Sequence, residues 1–386
     1  MPMATAIKAR WGVAALFAAN GFTMGAWAPQ IPPLMPRHGI SESVLGLVIL
    51  ALGIGAVGAM LFTGRLIARF GGRPVLAGFS LALAPTLPLL VFAPSLPPLF
   101  AAAALFGAIA GSMDVAMNAA AVKVERALGR AIMSASHGFW SLGGFIGSAL
   151  GSYVLALWGG EVQVLLTAGV VALTVALALP HLLPDPASVP ETHEKQSLFP
   201  RDARLWLLGL LALFCMVPEG AVMDWAAVYL AKELGADAFR AGLGFAFFAG
   251  TMAIMRFSGD AIRNRFGAVR TLRVSALIGA AGLMIGALAP IDAVAMAGFA
   301  VAGLGVANLV PVMFSAAGNH PGLPPGQAIS TVTMVGYAGI LIAPASIGYI
   351  AEHAGFRATY AALALLLVLV AALAHRAKAA DGIRSH

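Results

Sequence analysis

The sequence predicts an all-α membrane protein in which twelve transmembrane helices form two pseudo-symmetric six-helix bundles. Three observations predict it. First, 60% of the 386 residues are hydrophobic and only 10% are charged, whereas a soluble domain carries about a quarter charged residues. Second, apolar stretches of about 20 residues, the length that crosses a bilayer core, recur along the chain. Third, 18 of the 23 Lys and Arg residues fall in segments on one side of these crossings, four (Arg37, Lys232, Arg240, Arg357) on the other, and Arg256 within a crossing. That bias puts both termini in the cytoplasm of a multi-pass protein of the inner (cell) membrane. The 45 Gly and 23 Pro residues suit close-packed, kinked membrane helices better than the alternating pattern of a β-barrel.

The N-terminal bundle is read as residues 1–183. Its first span, 11–33, follows Lys8 and Arg10 and has no small-residue cleavage site after it, so it is expected to stay in the membrane. Span 43–66 runs into a basic loop containing Arg65, Arg69 and Arg73, and span 75–94 follows. Span 98–123 carries Asp114 and Asn118. Their i,i+4 spacing puts them on one helical face. A carboxylate at that depth costs roughly 2.5–3.5 kcal/mol and should face the bundle interior or water. Span 132–157 contains His137 and a row of Gly143, Gly147 and Gly151, which predicts close helix packing. Span 162–183 completes the bundle.

Residues 184–204 (PDPASVPETHEKQSLFPRDAR) form the longest polar stretch and are read as a solvated cytoplasmic linker. The C-terminal bundle, 205–386, holds spans at 205–230, 239–262, 271–290, 292–317, 327–350 and 357–375 and ends in a short cytoplasmic tail. Two matches link the bundles as repeats. GRLIARFG from Gly64 to Gly71 recurs as DAIRNRFG from Asp260 to Gly267, and Gly111–Asp114 aligns with Gly305–Asn308. The second match would set Asp114 opposite Asn308. Such parallel repeats imply a pseudo-two-fold axis along the membrane normal, with a transport site between the halves.

Twelve spans, a central loop and the Gly-Arg-Phe-Gly-type loops after spans two and eight resemble the major facilitator superfamily over the whole chain. Ala68 stands where that family usually has Asp, so its charge latch is not in its ordinary form here. Arg256 and Asp260, one turn apart, are the substitute ion pair. Three stretches resemble the MosC/YbjJ-like branch: Met113–Ala119 (MDVAMNA), Met133–Gly144 (MSASHGFWSLGG) and Glu219–Leu230 (EGAVMDWAAVYL). The resemblance implies that spans 1, 4, 7 and 10 line a central cavity. Their candidate solute-binding residues are Asn20, Trp27, Gln30, Asn118, Trp225, Tyr229 and Asn308.

The candidate proton-coupling groups are Asp114, Glu219, Asp224 and His137. Asp114 is either a proton carrier or a carboxyl held permanently by Asn118. Glu219 and Asp224 are five residues apart, about 140° around a helix, but Pro218 and Gly220 allow a break between them. His137 is either a relay to Asp114 or a packing residue. Apart from Lys123 at the cytoplasmic end of the fourth, spans 1, 4, 7 and 10 contain no basic residue, so an anionic solute would sit unpaired beside acids. A sugar, polyol or amino-polyol fits better.

The sequence therefore reads as a proton-coupled secondary transporter working by alternating access. Proton-coupled efflux of amphipathic cations is one alternative, and a non-transporting sensor or scaffold is another. No Walker loop points to ATP drive, and no motif points to an enzyme. One cysteine, Cys215, leaves no cysteine cluster for a metal, and no cofactor is implied. The expected partners are a small solute, protons and the lipid bilayer, with no nucleic acid, and the chain is expected to be a monomer.

Overall fold

The computed structural model describes residues 3–128, 132–184, 202–321 and 325–383, all helix or connecting turn. Most of the linker, 185–201, lies outside them. The helices are α1 (Met3–Trp27), α2 (Ile31–His38), α3 (Glu42–Phe70), α4 (Gly72–Leu83), α5 (Thr86–Val91), α6 (Leu96–Leu128) and α7 (Met133–Ala178) in the first half. The second half holds α8 (Ala203–Leu234), α9 (Ala238–Phe266), α10 (Ala268–Ala287), α11 (Asp292–Val306), α12 (Leu309–Gly318) and α13 (Pro325–Ala372), then a 3-10 tail, Ala374–Ile383.

Among the described residues, nine helical stretches are long and apolar enough to cross a membrane. Two of these have 47 and 42 residues. A straight helix of that length would reach about 60–70 Å, roughly twice a bilayer core. Each is interrupted by one glycine outside helical geometry, Gly159 in α7 (φ 84°) and Gly355 in α13 (φ 83°). Two other spans keep about the expected length but are divided into two helices each. The 75–94 stretch divides into α4 and α5 around Ala84–Pro85, and 292–317 divides at Ala307–Asn308. The break expected at Pro218 is absent, and α8 runs through it as a single helix.

Six glycines with positive φ among the described residues make the internal repeat measurable. Gly39 pairs with Gly235, Gly71 with Gly267 and Gly159 with Gly355, each pair 196 residues apart and with φ matching within 7°. Only glycine adopts this backbone region freely, so these are fixed joints of the fold. Contacts repeat at the same spacing. Gly107 lies against the Leu52 carbonyl as Gly303 lies against that of Phe248, and Gly46 meets Pro344 as Gly242 meets Ser148.

This spacing corrects the alignment of Asp114 with Asn308. The counterpart of Asn308 is Ser112, and that of Asp114 is Val310. Ser112 accepts a hydrogen bond from Thr63 at 2.9 Å, while Asn308 packs on Gly259, the residue matching Thr63. The short Gly-containing match in the sequence is two residues out of register with the fold.

Within the first half, α1 and α7 interlock backbone to backbone. A Cβ on Gly25 would come within 2.1 Å of the Gly144 carbonyl oxygen, and one on Gly147 within 2.2 Å of that of Phe22. The glycine row therefore acts in packing, as its spacing predicted. Between halves, close packing among the described residues runs along α3–α13 and α7–α9, and joins α2 and the preceding turn to α8 and α9.

Much of this seam lies at the end away from the Arg65–Arg73 and Arg263–Arg273 loops. There Glu42 pairs with Lys232, the Ser43 N–H donates to Glu352 at 2.9 Å, and Ser148 donates to the Gly242 carbonyl at 2.7 Å. The bundle is closed at that end.

Towards the basic end the two seams differ. Phe257 of α9 still packs on α7, edge-on to Phe139 at 5.6 Å and over Gly138. The matching positions on the other seam, Leu61 and Met334, are 69% and 43% exposed. Phe257 is itself 49% exposed, so what sets the α7–α9 seam apart at this depth is its ring contact with Phe139. No counterpart ring contact joins α3 to α13 among the described residues. With the buried Cys215 replaced by Ser, a short bifunctional thiol reagent should join cysteines placed at Phe139 and Phe257. It should leave a Leu61/Val335 pair unjoined. Equal joining of both pairs would show that the two seams do not differ.

Candidate functional site

Partly exposed polar side chains from both halves gather between α6, α7, α8, α9 and α13. On α6, the Asn118 Nδ2 donates to the Asp114 carbonyl at 2.9 Å, which keeps both residues on one face, and both are partly exposed. His137 of α7 lies 3.2 Å from Asn118 through Nε2 and is packed edge-on against Phe17. Three residues on, the Trp140 indole N–H donates to Asn20 at 2.9 Å, and Asn20 in turn donates to the Ala110 carbonyl at 3.2 Å. The first-half wall is thus held by side chains that α1, α6 and α7 share.

Across from it, Arg256 of α9 binds both carboxylate oxygens of Glu219 on α8, at 3.1 and 3.3 Å. The same guanidinium donates to Ser141 of α7 at 2.6 Å and lies 5.8 Å from the centre of the Trp140 ring. These contacts span the two halves. The two side chains are 14% and 22% exposed, so the pair is partly desolvated and still reached by solvent. Tyr337 of α13 lies within electrostatic range of both Asp114 and Glu219, and Arg256 within range of His137. One partly exposed cluster therefore brings together Asp114, Asn118, His137, Trp140, Ser141, Glu219 and Arg256, with Tyr337 in electrostatic range.

The other expected residues lie elsewhere. Gln30 is buried and donates to the Gly160 carbonyl and to Gln163, beside the α7 break. Trp27 and Trp225 are fully buried, Trp27 against Phe106 and Trp225 against Phe356. Tyr229 donates its hydroxyl to the Gly286 carbonyl at 2.8 Å within an aromatic cluster of Phe299, Phe356 and Tyr360. Asn308 is buried against Gly259, with its Nδ2 unpaired among the described residues. Asp224 is only 7% exposed, next to Trp225 and in the part of α8 nearer the closed end.

Arg65 and Arg69 lie over Phe62 and Phe70, and Arg73 lines a small cavity with Lys123. None of the three arginines forms an ion pair among the described residues. The Asp260 side chain lies outside the described residues, so its pairing with Arg256 is not seen. The observed partner of Arg256 is Glu219.

Three members of the cluster were not singled out by sequence. Trp140 and Ser141 stand inside the Met133–Gly144 stretch and could have been found by asking which groups share a face with His137. Tyr337 carried no signal.

The Major Facilitator Superfamily profile matches residues 13–325 and 225–381. An MFS-type transporter of Yersinia pestis is 38% identical over 355 residues, covering 92% of each chain. The membrane protein MosC of Rhizobium meliloti is 32% identical over 351 residues, covering 89% of this chain and 84% of its own. A solved D-xylose–proton symporter shares the fold at a TM-score of 0.74 and 14% identity, covering 95% of this chain and 97% of its own. Nucleoside and organic-anion transporters have the same fold. The chain belongs to the major facilitator superfamily, with MosC among its relatives as the motifs suggested.

Proposed function

We propose that this chain is a proton-coupled secondary transporter of a small neutral or cationic polar solute, a sugar, polyol or amino-polyol. It works as a monomer in the inner membrane, with twelve crossings and both termini in the cytoplasm. Counting the two parts of α7 and of α13 separately, together with α1, gives that number. The superfamily moves small solutes across membranes, and a sugar–proton symporter shares the fold.

One observation carries the reading. Asp114 and the Glu219–Arg256 pair are reached by solvent between the halves, whereas Asp224 is sealed near the opposite, closed end. A carrier needs groups whose access alternates. With the basic end cytoplasmic, the partial exposure of these groups supports an inward-facing reading. Asp114 then exchanges its proton with the cytoplasm, and Asp224 waits for the outward-facing state. Arg256 is neutralised by Glu219, so it leaves Asp114 as the charge available to a solute cation or hydroxyl group. Asn118, His137 and Tyr337 supply hydrogen bonds, and Trp140 an apolar face.

Asp114→Asn in proteoliposomes should lose accumulation driven by a pH gradient yet retain exchange of solute at equal pH. Uphill uptake at the wild-type level in that variant would remove Asp114 from the mechanism.

The exposed apolar side chains of Leu61 and Met334 on α3 and α13 favour a second reading, efflux of an amphipathic cation that enters from the lipid. Hypersensitivity of a deletion strain to lipophilic cations, with sugar uptake unchanged, would select it over the first.

A further inference from the structure

A second feature of the basic end lies apart from the polar cluster between the halves. The outward face of α10 is an apolar stripe of Val274, Leu277, Ile278, Ile285 and Leu288, all exposed. Its spacing is that of one helical face, and in a membrane such a face meets acyl chains. At its first turns the stripe is crowned by two exposed arginines, Arg270 and Arg273. Both line an open cleft of about 500 Å³, together with Phe266, Val269, Val274 and Asp381.

The far wall of the cleft is the C-terminal 3-10 tail. Asp381 accepts from the Ala268 N–H at 2.5 Å, and Arg263 donates to the Ala380 carbonyl at 2.9 Å and to Ser315 at 2.6 Å. Asp381 is thus occupied by the start of α10 and forms no ion pair with either cleft arginine among the described residues. Arg273 gives its Nε to the Ala371 carbonyl at 3.3 Å, and Arg270 has no hydrogen bond or ion pair among the described residues.

The internal repeat serves as a control. At the 196-residue spacing, Arg270 corresponds to Pro74 and Arg273 to Ala77. The first half lacks this arginine pair, so it is not a requirement of the shared fold.

We propose that this cleft binds the phosphate of an anionic phospholipid, with the acyl chains lying along the α10 stripe. Arginine forks match phosphate oxygens in geometry as well as charge, and basic pockets between helices at the membrane surface suit such headgroups. The apolar stripe leading out of the cleft selects a lipid over free phosphate.

The test uses the full chain in phosphatidylcholine nanodiscs, with phosphatidylglycerol titrated in and bound lipid counted by native mass spectrometry. Near-surface arginines contribute about fivefold each to anionic-lipid affinity, so Arg270→Gln with Arg273→Gln should weaken retention by about thirty-fold. Lys8→Gln with Arg10→Gln removes the same charge from the same end outside the cleft and should change retention less than twofold. Equal loss in both double variants would mean diffuse surface charge and would overturn the site.

A second measurement needs no variant. Phosphatidylglycerol should raise the melting temperature of the wild-type protein more than phosphatidylcholine or inorganic phosphate does. Stabilisation by inorganic phosphate alone, or by every lipid equally, would overturn the lipid assignment.

Discussion

Arg256→Ala is expected to destabilise the protein by about 3 kcal/mol, the low end of the range for breaking a buried ion pair, because water still reaches both partners. The substitution leaves the Glu219 carboxylate in the membrane interior without its guanidinium partner. It also removes the link to Ser141, one of the contacts that tie α9 to α7 across the halves. Adding Glu219→Gln should restore part of the loss, because the stranded charge is then gone. Coupling between contacting residues is typically about 0.5–3 kcal/mol. Thermal unfolding of purified wild type, both single variants and the double variant closes the cycle. An Arg256→Ala protein that melts with the wild type, or effects that simply add, would show that the pair contributes nothing to stability.

Gly25→Leu should be as damaging by a different route. The new Cβ would stand 2.1 Å from the Gly144 carbonyl oxygen, and backbone cannot swing aside as a side chain does. Overpacking commonly costs about 1–3 kcal/mol and sometimes more. Here α1 and α7 would have to part along a seam that also includes Gly21, Gly143 and Gly147, so the upper end is expected. The seam positions Asn20 against Trp140, and loss of transport should accompany loss of stability. Gly58→Ala is the matched control, with open space around its Cβ, and should be neutral or stabilising by up to about 1 kcal/mol. Comparable yield and melting temperature for the two variants would mean that the α1–α7 approach is not what the fold depends on.

The fold was legible in the sequence because its causes are local. Apolar length, the sidedness of Lys and Arg, and the polar 184–204 stretch each reflect a property of the bilayer and need no knowledge of distant contacts. The Gly143–Gly147–Gly151 row could be read for the same reason, since small residues at helical spacing have one main use in lipid. The site was legible only in part. Asp114, Asn118 and His137 were visible as polar groups where such groups are expensive, but the partner of Arg256 was not. Sequence proximity pointed to Asp260, whose side chain lies outside the described residues, and gave no hint of Glu219, 37 residues back, which pairs with Arg256.

Gln30, Trp27 and Tyr229 illustrate the opposite difficulty. They stand on a helix expected to line a cavity, but side-chain direction depends on rotation and on the turn at Ala28–Gln30, and their polar or flat surfaces are turned into packing. Asn308 shows how a four-residue match anchored on one glycine can lie two residues out of register with the fold, whose spacing is 196 on both sides of it.

The equal spacing of the three glycine pairs has one more consequence. From Gly39 to Gly159, and again from Gly235 to Gly355, the two halves count the same number of residues between joints. Substitutions have accumulated freely in both copies, but no net gain or loss of length separates them. A single residue inserted into α7 between His137 and Ser148 would turn everything beyond it by about 100°. Ser148 would then swing away from Gly242 while the matching Pro344–Gly46 contact stayed in place. Chain length, more than residue identity, is what keeps the two halves in step.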